Sequence, residues 1–341
     1  MSALVFRALC LSFPLLLAAE HFSLEESGVA NLSTRLESSS SSWDLSGEFL
    51  IWYASEQLSS AWFSQITTEI QGFDVFDTFS ATPFSFSWDV GFRVGLGYGM
   101  EYDEWDTQLS WSRFCTSAQH SVAGGVILPE FFGTFLHGDG PDFGSIDWSL
   151  FYNMMNWDLG RSYWVSDALS FRPFFGLQGG WIDQTMHSKW HVVSQTVNGV
   201  ATPVDYLAKE DLRNDFWGVG PLGGINTKWI LGRTSSYRFH LFGDVSSAWM
   251  WGVWACDDIY TNPTPEKIST NMSDSTLGAL MLRGIMGLGW DATIRKISVS
   301  LQMGFETQFW LNQLRIPTFQ QLRLHGDLTL QGGSFKARLD F

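Results

Sequence analysis

The residues with the clearest chemical potential are charged side chains that recur at every second position beside bulky apolar ones. Within residues 86–99, Asp89 and Arg93 share one side of an alternating stretch. Trp88 and Phe92 occupy the other side. Such alternation predicts a β-strand with one polar and one apolar face. When several strands of this kind close around a common axis, their charged groups line a shared interior.

The same alternation places nine acidic and eight basic residues on the polar faces of the predicted strands. The acids are Asp44, Glu48, Asp89, Asp106, Asp147, Asp244, Asp291, Glu306 and Asp340. The bases are Arg93, Arg172, Lys228, Arg238, Arg283, Lys296, Lys336 and Arg338. Because the two signs nearly balance, we expect an interior that is either wet or internally paired. The net charge of −15 then comes mainly from the connecting loops, which predicts only a mild preference for cations.

Other candidate sites are weak. Residues 218–223 fit a dinucleotide fingerprint, but the pattern continues as strand on both sides, where that motif needs a strand followed by a helix. His187 and His191 share a face without a third metal ligand. We therefore expect no enzyme activity, no metal and no cofactor. After the predicted signal peptide, the chain has two cysteines, Cys115 and Cys256. Their strands are predicted to lie nearly opposite each other in the barrel, so we expect free or intermolecular thiols more than a direct disulfide between them.

Ten stretches carry the period-two pattern that positions these side chains. They cover residues 43–53, 86–99, 105–115, 146–161, 168–183, 213–231, 237–252, 277–291, 296–311 and 325–341. Lengths of about 11–16 residues suit tilted strands that cross a membrane. An extra hairpin around residues 198–199 would give twelve strands instead of ten.

Connection lengths and composition favour a membrane barrel. Short and long connections alternate strictly, which puts all long loops at one end of an up-and-down barrel. Aromatic residues make up 16 % of the chain, and many Trp and Tyr stand near strand ends, as in interfacial girdles. The acidic net charge excludes nucleic acid as a partner. The predicted fold is all-β: a transmembrane up-and-down antiparallel β-barrel in the bacterial outer membrane.

The amino-terminal segment has a different character from the rest. Arg7, an apolar run and Ala18-Ala19 predict a signal peptide over residues 1–19. Residues 20–42 are polar and serine-rich, and are predicted to form a flexible leader. Residues 43–341 then form the barrel with its long external loops.

Several segments resemble the Legionella major outer membrane protein family, which also occurs in environmental chlamydia-like bacteria. They are FRVGLGY at 92–98, W-x3-L-x-W-x-RF at 105–114, LGR at 159–161, LSFRPFFGLQGGWIDQ at 169–184, NDFWGVGP at 214–221 and GLGWD at 287–291. The resemblance implies an outer-membrane β-barrel that forms a pore, and it supplies no catalytic motif.

Two functions follow from these expectations. The first is a narrow pore for passive diffusion of ions and small solutes. The alternative is a non-conducting structural or surface-adhesion barrel, because ten strands lie close to the number at which side chains fill the lumen. Outer-membrane lipid, small solutes and ions are the expected partners, and a homo-oligomer is left open. The identity of the solute does not follow from the sequence.

Overall fold

The computed structural model describes residues 42–71, 74–101, 103–124, 126–129, 131, 141–197, 200–234, 237–262, 267–294, 297–317 and 324–341. Its strands are β1 (Ser42–Glu56), β2 (Phe63–Gln71), β3 (Asp74–Ser80), β4 (Trp88–Gly99), β5 (Trp105–Ala123), β6 (Val126–Pro129), β7 (Phe143–Arg161), β8 (Tyr163–Trp164), β9 (Leu169–Val197), β10 (Val200–Arg233), β11 (Tyr237–Thr261), β12 (Lys267–Ile294), β13 (Ile297–Ile316) and β14 (Leu324–Asp340). A short 3-10 helix, Gln57–Ala61, follows β1. Within these residues, no helix has both the length and the apolar character needed to cross a membrane.

Ten of the strands close into one antiparallel barrel. The order around the ring is β10-β11-β12-β13-β14-β1-β4-β5-β7-β9, and β9 pairs with β10 to complete it. Strands β2, β3 and β6 form a separate small sheet, and β8 pairs only with β9. The predicted ten-stranded barrel is therefore confirmed. Residues 192–197 and 200–207 belong to β9 and β10 and pair with each other, with one register shift between Pro203 and Tyr206. They extend two barrel strands and add none, so the twelve-strand alternative is wrong.

The outer surface of the barrel carries the apolar faces of the strands. Two rings of exposed aromatic side chains mark its limits. The upper ring contains Trp88, Trp181, Trp217 and Trp251, and the lower ring contains Trp43, Trp229, Tyr237 and Phe239. Along β10 the two rings lie twelve residues apart, which corresponds to about 30 Å in a tilted strand. This distance matches the hydrocarbon thickness of a bilayer, so the band between the rings is the membrane-spanning part.

Beyond the upper ring, several strands continue far outside the membrane. Strand β9 has 29 residues and β10 has 34, although about ten suffice to cross a bilayer. Much of the segments predicted as loops over 116–145, 184–212 and 253–276 is therefore strand. The strand ends that border the short connections, such as Gly99, Trp105 and Arg161, lie at the opposite, lower end, as predicted. Residues 1–41, which include the predicted signal peptide and nearly all of the leader, lie outside the described residues.

Candidate functional site in the barrel interior

Most of the predicted lining residues lie on the inward faces of their strands. The inward set is Asp44, Glu48, Asp89, Arg93, Asp106, Arg172, Lys228, Arg238, Asp244, Arg283, Asp291, Glu306, Lys336, Arg338 and Asp340. Their positions follow the strand parity, because the apolar residues between them point to lipid. Lys296 lies outside the described residues, and its position stays a prediction.

One assignment was wrong. Asp147 is exposed on the outward face of β7, while its neighbours Ile146 and Trp148 are buried inside. This part of β7 lies beyond the upper ring, where an outward carboxylate meets water and costs little. In the membrane band, the inward acid of β7 is instead Asp158, which the sequence analysis missed. The sequence feature that identifies it is the alternation of the strand: Asp158 directly follows the outward-facing Trp157 and therefore faces inward.

A first group of charges, here called the central cluster, joins five strands inside the membrane band. It consists of Glu48, Arg93, Asp244, Arg283 and Glu306. The Nη1 of Arg93 lies 2.9 Å from Glu48 Oε2, and its Nη2 lies 2.9 Å from Glu306 Oε1. Arg283 donates through Nε to the same Glu306 oxygen at 2.6 Å and through Nη1 to Asp244 at 3.1 Å. Glu306 is fully buried between the two guanidinium groups, so its charge is balanced in place.

A second group, the lateral cluster, lies on the opposite side of the interior. Arg172 of β9 donates to both carboxylate oxygens of Asp106 and to Asp158 Oδ1 at 2.6 Å. Its Nη1 also donates to the side-chain oxygen of Asn226 at 3.0 Å. The cluster thus ties together β5, β7, β9 and β10.

Charged residues at the lower end are paired more loosely. Arg338 lies 3.3 Å from Asp44 and 2.7 Å from Asp340. Lys228 and Arg238 share one carboxylate, Asp291, at 3.5 and 3.9 Å.

Above the central cluster, six buried aromatic side chains form a continuous layer across the interior. This aromatic layer consists of Trp52, Phe114, Tyr152, Phe216, Trp254 and Trp310. Tyr152 contacts Trp52 and Trp310 edge-on, each at a ring separation of 6.0 Å. Phe216 continues the contact from Trp310 at 6.4 Å. Such a packed layer excludes water from the cross-section that it fills.

The chain that follows β1 closes the interior above this layer. Trp62, just after the 3-10 helix, stacks on Trp190 of β9 at a ring separation of 5.0 Å and donates to Ser188 Oγ at 3.1 Å. The side-chain amide of Gln184 donates to Oε1 of Gln313 at 2.7 Å, which links β9 to β13. The upper mouth is therefore filled by the protein's own side chains.

Two carboxyl groups are buried in the sheet outside the membrane. Glu210 and Asp258 lie diagonally on β10 and β11, since Leu212 is the direct partner of Asp258 and Tyr260 that of Glu210. Within the described residues, neither oxygen of Asp258 has a hydrogen-bond partner, and Trp190 approaches Glu210 at 3.5 Å. Burial and the nearby charge of Glu210 raise the pKa of Asp258, and burial also raises the pKa of Glu210.

The remaining candidate residues do not assemble into a reactive centre. Cys115 faces outward and is half-buried, while Cys256 faces inward and is buried, and both thiols are free. His187 pairs with Asp211 and His191 with Asp205 at the surface. The described part of the chain contains no group of three or more His, Cys, Asp or Glu side chains placed to hold a metal ion.

Comparisons with solved structures find other outer-membrane barrels. The protease OmpT of Escherichia coli aligns with 90 % of this chain and 99 % of its own length, at 8 % identity and a TM-score of 0.38. A FadL homologue of Pseudomonas aeruginosa covers 88 % and 90 %, at 7 % identity and a TM-score of 0.26. The toluene transporter TodX of Pseudomonas putida covers 92 % of each chain, at 9 % identity and a TM-score of 0.26. Likeness this distant carries no argument about activity.

The family comparison is more specific. The curated proteins contain no match to the chain. A protein-family model described as the Legionella pneumophila major outer membrane protein precursor matches residues 37–341. This match confirms the resemblance seen in the strand segments and extends it over the whole closed barrel. The chain therefore belongs to the Legionella major outer membrane protein family and is a β-barrel of the bacterial outer membrane.

Proposed function

We propose that this protein is a structural outer-membrane barrel that keeps its lumen closed and presents a broad β-sheet outside the cell. The observation that carries the proposal is the aromatic layer, which crosses the interior between opposite strands. A diffusion pore needs a continuous water-filled path, and packed aromatic rings block such a path.

The central cluster supports the same proposal from below the layer. Glu306 is held by two arginines that also bind Glu48 and Asp244, so movement of one side chain breaks several charged hydrogen bonds. Charged hydrogen bonds in a buried setting are stronger than neutral ones. The cluster therefore resists the rearrangement that would open the lumen.

The external sheet gives the closed barrel a second role. The extensions of β9 to β12 beyond the upper ring form a wide surface whose outward side chains are largely polar and exposed, such as Lys189, Asp211 and Asp257. Much of β9, β10 and β11 in this region is paired on both sides, and such strands hold their shape better than free loops do. This surface suits a structural or adhesive function at the cell exterior.

A narrow diffusion pore is the second candidate, because the lower half of the interior is polar and holds a cavity of about 440 Å³. It would require both the aromatic layer and the side chains around Trp62 above it to move aside. The two candidates therefore differ in one measurable property, which is steady conductance of the folded barrel.

Conductance in planar lipid bilayers tests the proposal. Purified protein, shown to be folded by its heat-modifiable migration on a gel, is expected to give no discrete current steps. The triple variant W52A/Y152A/W310A removes the centre of the layer, and with Trp62→Ala added to open the upper mouth it is expected to conduct. The matched control W88A/W217A/W251A removes three outward aromatic rings and should give no current steps. Regular steps from the folded unmodified protein would overturn the proposal, and Tyr152→Ser serves if the triple variant does not fold.

A further inference from the structure

The cavity in the lower half of the interior contains basic side chains that are incompletely paired. This basal chamber lies between the central and lateral clusters and has a volume of about 440 Å³. It reaches the lower end of the barrel, where the side chain of Arg238 is 48 % exposed. In the outer membrane the short turns face the periplasm, so the chamber opens on that side.

Basic side chains outnumber acidic ones in the wall of the chamber. The bases are Arg93, Arg172, Lys228, Arg238, Arg283, Lys336 and Arg338. The acids are Asp44, Glu48, Asp106, Asp158 and Asp244. Three further acids, Asp291, Glu306 and Asp340, contact these bases from just outside the wall. The charges therefore nearly balance over the whole chamber, and positive charge is available only at particular positions.

The pairing pattern shows where the positive charge is available. Arg93 and Arg283 are held in the central cluster, Arg172 in the lateral cluster, and Arg338 between Asp44 and Asp340. Among the described residues, Lys336 has no carboxylate within 4.0 Å and no hydrogen-bond partner. Its neighbour across the strand pair, Glu48, is already bound to Arg93 at 2.9 Å.

Lys228 and Arg238 provide a second positive position. Both depend on Asp291, which also accepts a hydrogen bond from Ser300 at 2.7 Å. One carboxylate cannot neutralise two cations, so part of their charge faces the chamber. Hydroxyl and amide groups also line the chamber, including those of Ser46, Ser334 and Gln302.

We propose that the basal chamber binds a small organic anion carrying a phosphate or carboxylate group, which enters from the periplasmic side. Lys336 binds the oxyanion, Lys228 and Arg238 attract it, and the neutral polar groups bind hydroxyls. The volume falls within the range of small-molecule pockets and exceeds what a single inorganic phosphate needs. The site stands whether or not the aromatic layer above it opens, so its test is separate from that of conductance.

Equilibrium dialysis of the folded protein in uncharged detergent at low ionic strength tests this site, with glucose 6-phosphate as the probe. Saturable binding is expected, and uncharged glucose should not bind. Lys336→Met should weaken binding by about tenfold or more, since a charged hydrogen bond is lost. The matched control Lys267→Met removes an exposed lysine of the external sheet and should change nothing.

Two results would overturn the proposal. One is the absence of saturable binding to the folded protein. The other is equal weakening by Lys336→Met and Lys267→Met, which would indicate general charge attraction. Lys228→Met provides a second chamber variant if Lys336→Met does not fold.

Discussion

The hydroxyl of Tyr152 on β7 donates a hydrogen bond to Oε1 of Gln308 on β13, and the two atoms are 2.9 Å apart. These strands are five positions apart in the ring of ten and therefore face each other across the lumen. The amide of Gln308 also donates to Glu306 at 2.9 Å, so the bond couples the aromatic layer to the central cluster.

Removing this hydroxyl should weaken the barrel without opening it. Tyr152→Phe keeps the ring contacts but loses the hydrogen bond across the lumen, so we expect a loss of about 1 kcal/mol in the free energy of unfolding. Denaturant titration in detergent micelles measures it. Tyr53→Phe, which alters an outward-facing tyrosine at the membrane edge, is the control and should stay within about 0.5 kcal/mol. A shift of the same size in both variants would argue against a special role for the bond.

Glu306→Gln should destabilise the protein much more. Its loss leaves Arg93 and Arg283 each short of a partner in a buried position, and breaking a buried ion pair costs about 3–5 kcal/mol. The same titration applies, with Asp340→Asn at the lower end as the control. In the double variant E306Q/R283M one of the two unpaired charges is gone, so part of the stability should return. No recovery in the double variant would show that the charges are not the cause.

Alkaline conditions should weaken the external sheet. The pKa of Asp258 is raised in the folded chain, whereas an unfolded carboxyl has a pKa near 4. Above about pH 4 the folded state therefore binds more protons than the unfolded state, and stability falls as the pH rises through the folded pKa. Asp258→Asn cannot ionise, so its unfolding midpoint should depend less on pH.

The control for this experiment is Asp257→Asn, which changes the exposed neighbour on the outward face. Unfolding midpoints of the three proteins are compared at about pH 5 and about pH 9. If D257N flattens the pH dependence as much as D258N does, the buried pair is not responsible.

The two thiols should react differently with a water-soluble maleimide. Cys115 is half-buried on the outward face, whereas burial raises the pKa of the inward Cys256 thiol to about 12. A thiol with such a pKa has almost no thiolate at neutral pH and reacts slowly. Mass spectrometry of the folded protein should show label on Cys115 alone, and on both residues after denaturation. Label on Cys256 in the folded chain would contradict the inward placement.

The sequence predicted the lower part of the barrel well. The predicted starts at Trp105 and Tyr237 and the predicted ends at Gly99 and Arg161 coincide with those of the strands. In this region lipid faces one side of each strand and a polar interior faces the other, so hydropathy and side-chain direction carry the same information.

The upper part could not be predicted in the same way, and β7 shows why. Its inward residues are apolar from Ile146 to Met154, where they fill the interior. Its outward apolar residues are Phe151, Met155 and Trp157, which meet lipid. The apolar face of β7 therefore changes from the inward side to the outward side along the strand, while the alternation of side-chain direction continues unchanged. This change accounts for the error at Asp147 and for the failure to identify Asp158. Glu210 and Asp258 were missed because their segments were predicted to be external loops.

The seam between β1 and β14 gives the barrel an order of assembly. These strands lie at opposite ends of the described chain, yet they pair along their lengths. Bringing such distant segments together is slow, because chain entropy is lost before the stabilising contacts between the two strands can form. The central cluster also straddles this seam, with Glu48 and Arg93 on one side and Glu306 and Arg283 on the other. Within the cluster, the contact between Arg93 and Glu306 crosses the seam and forms only when the ring shuts. An unfinished barrel therefore carries these two charges incompletely paired, which opposes its entry into lipid.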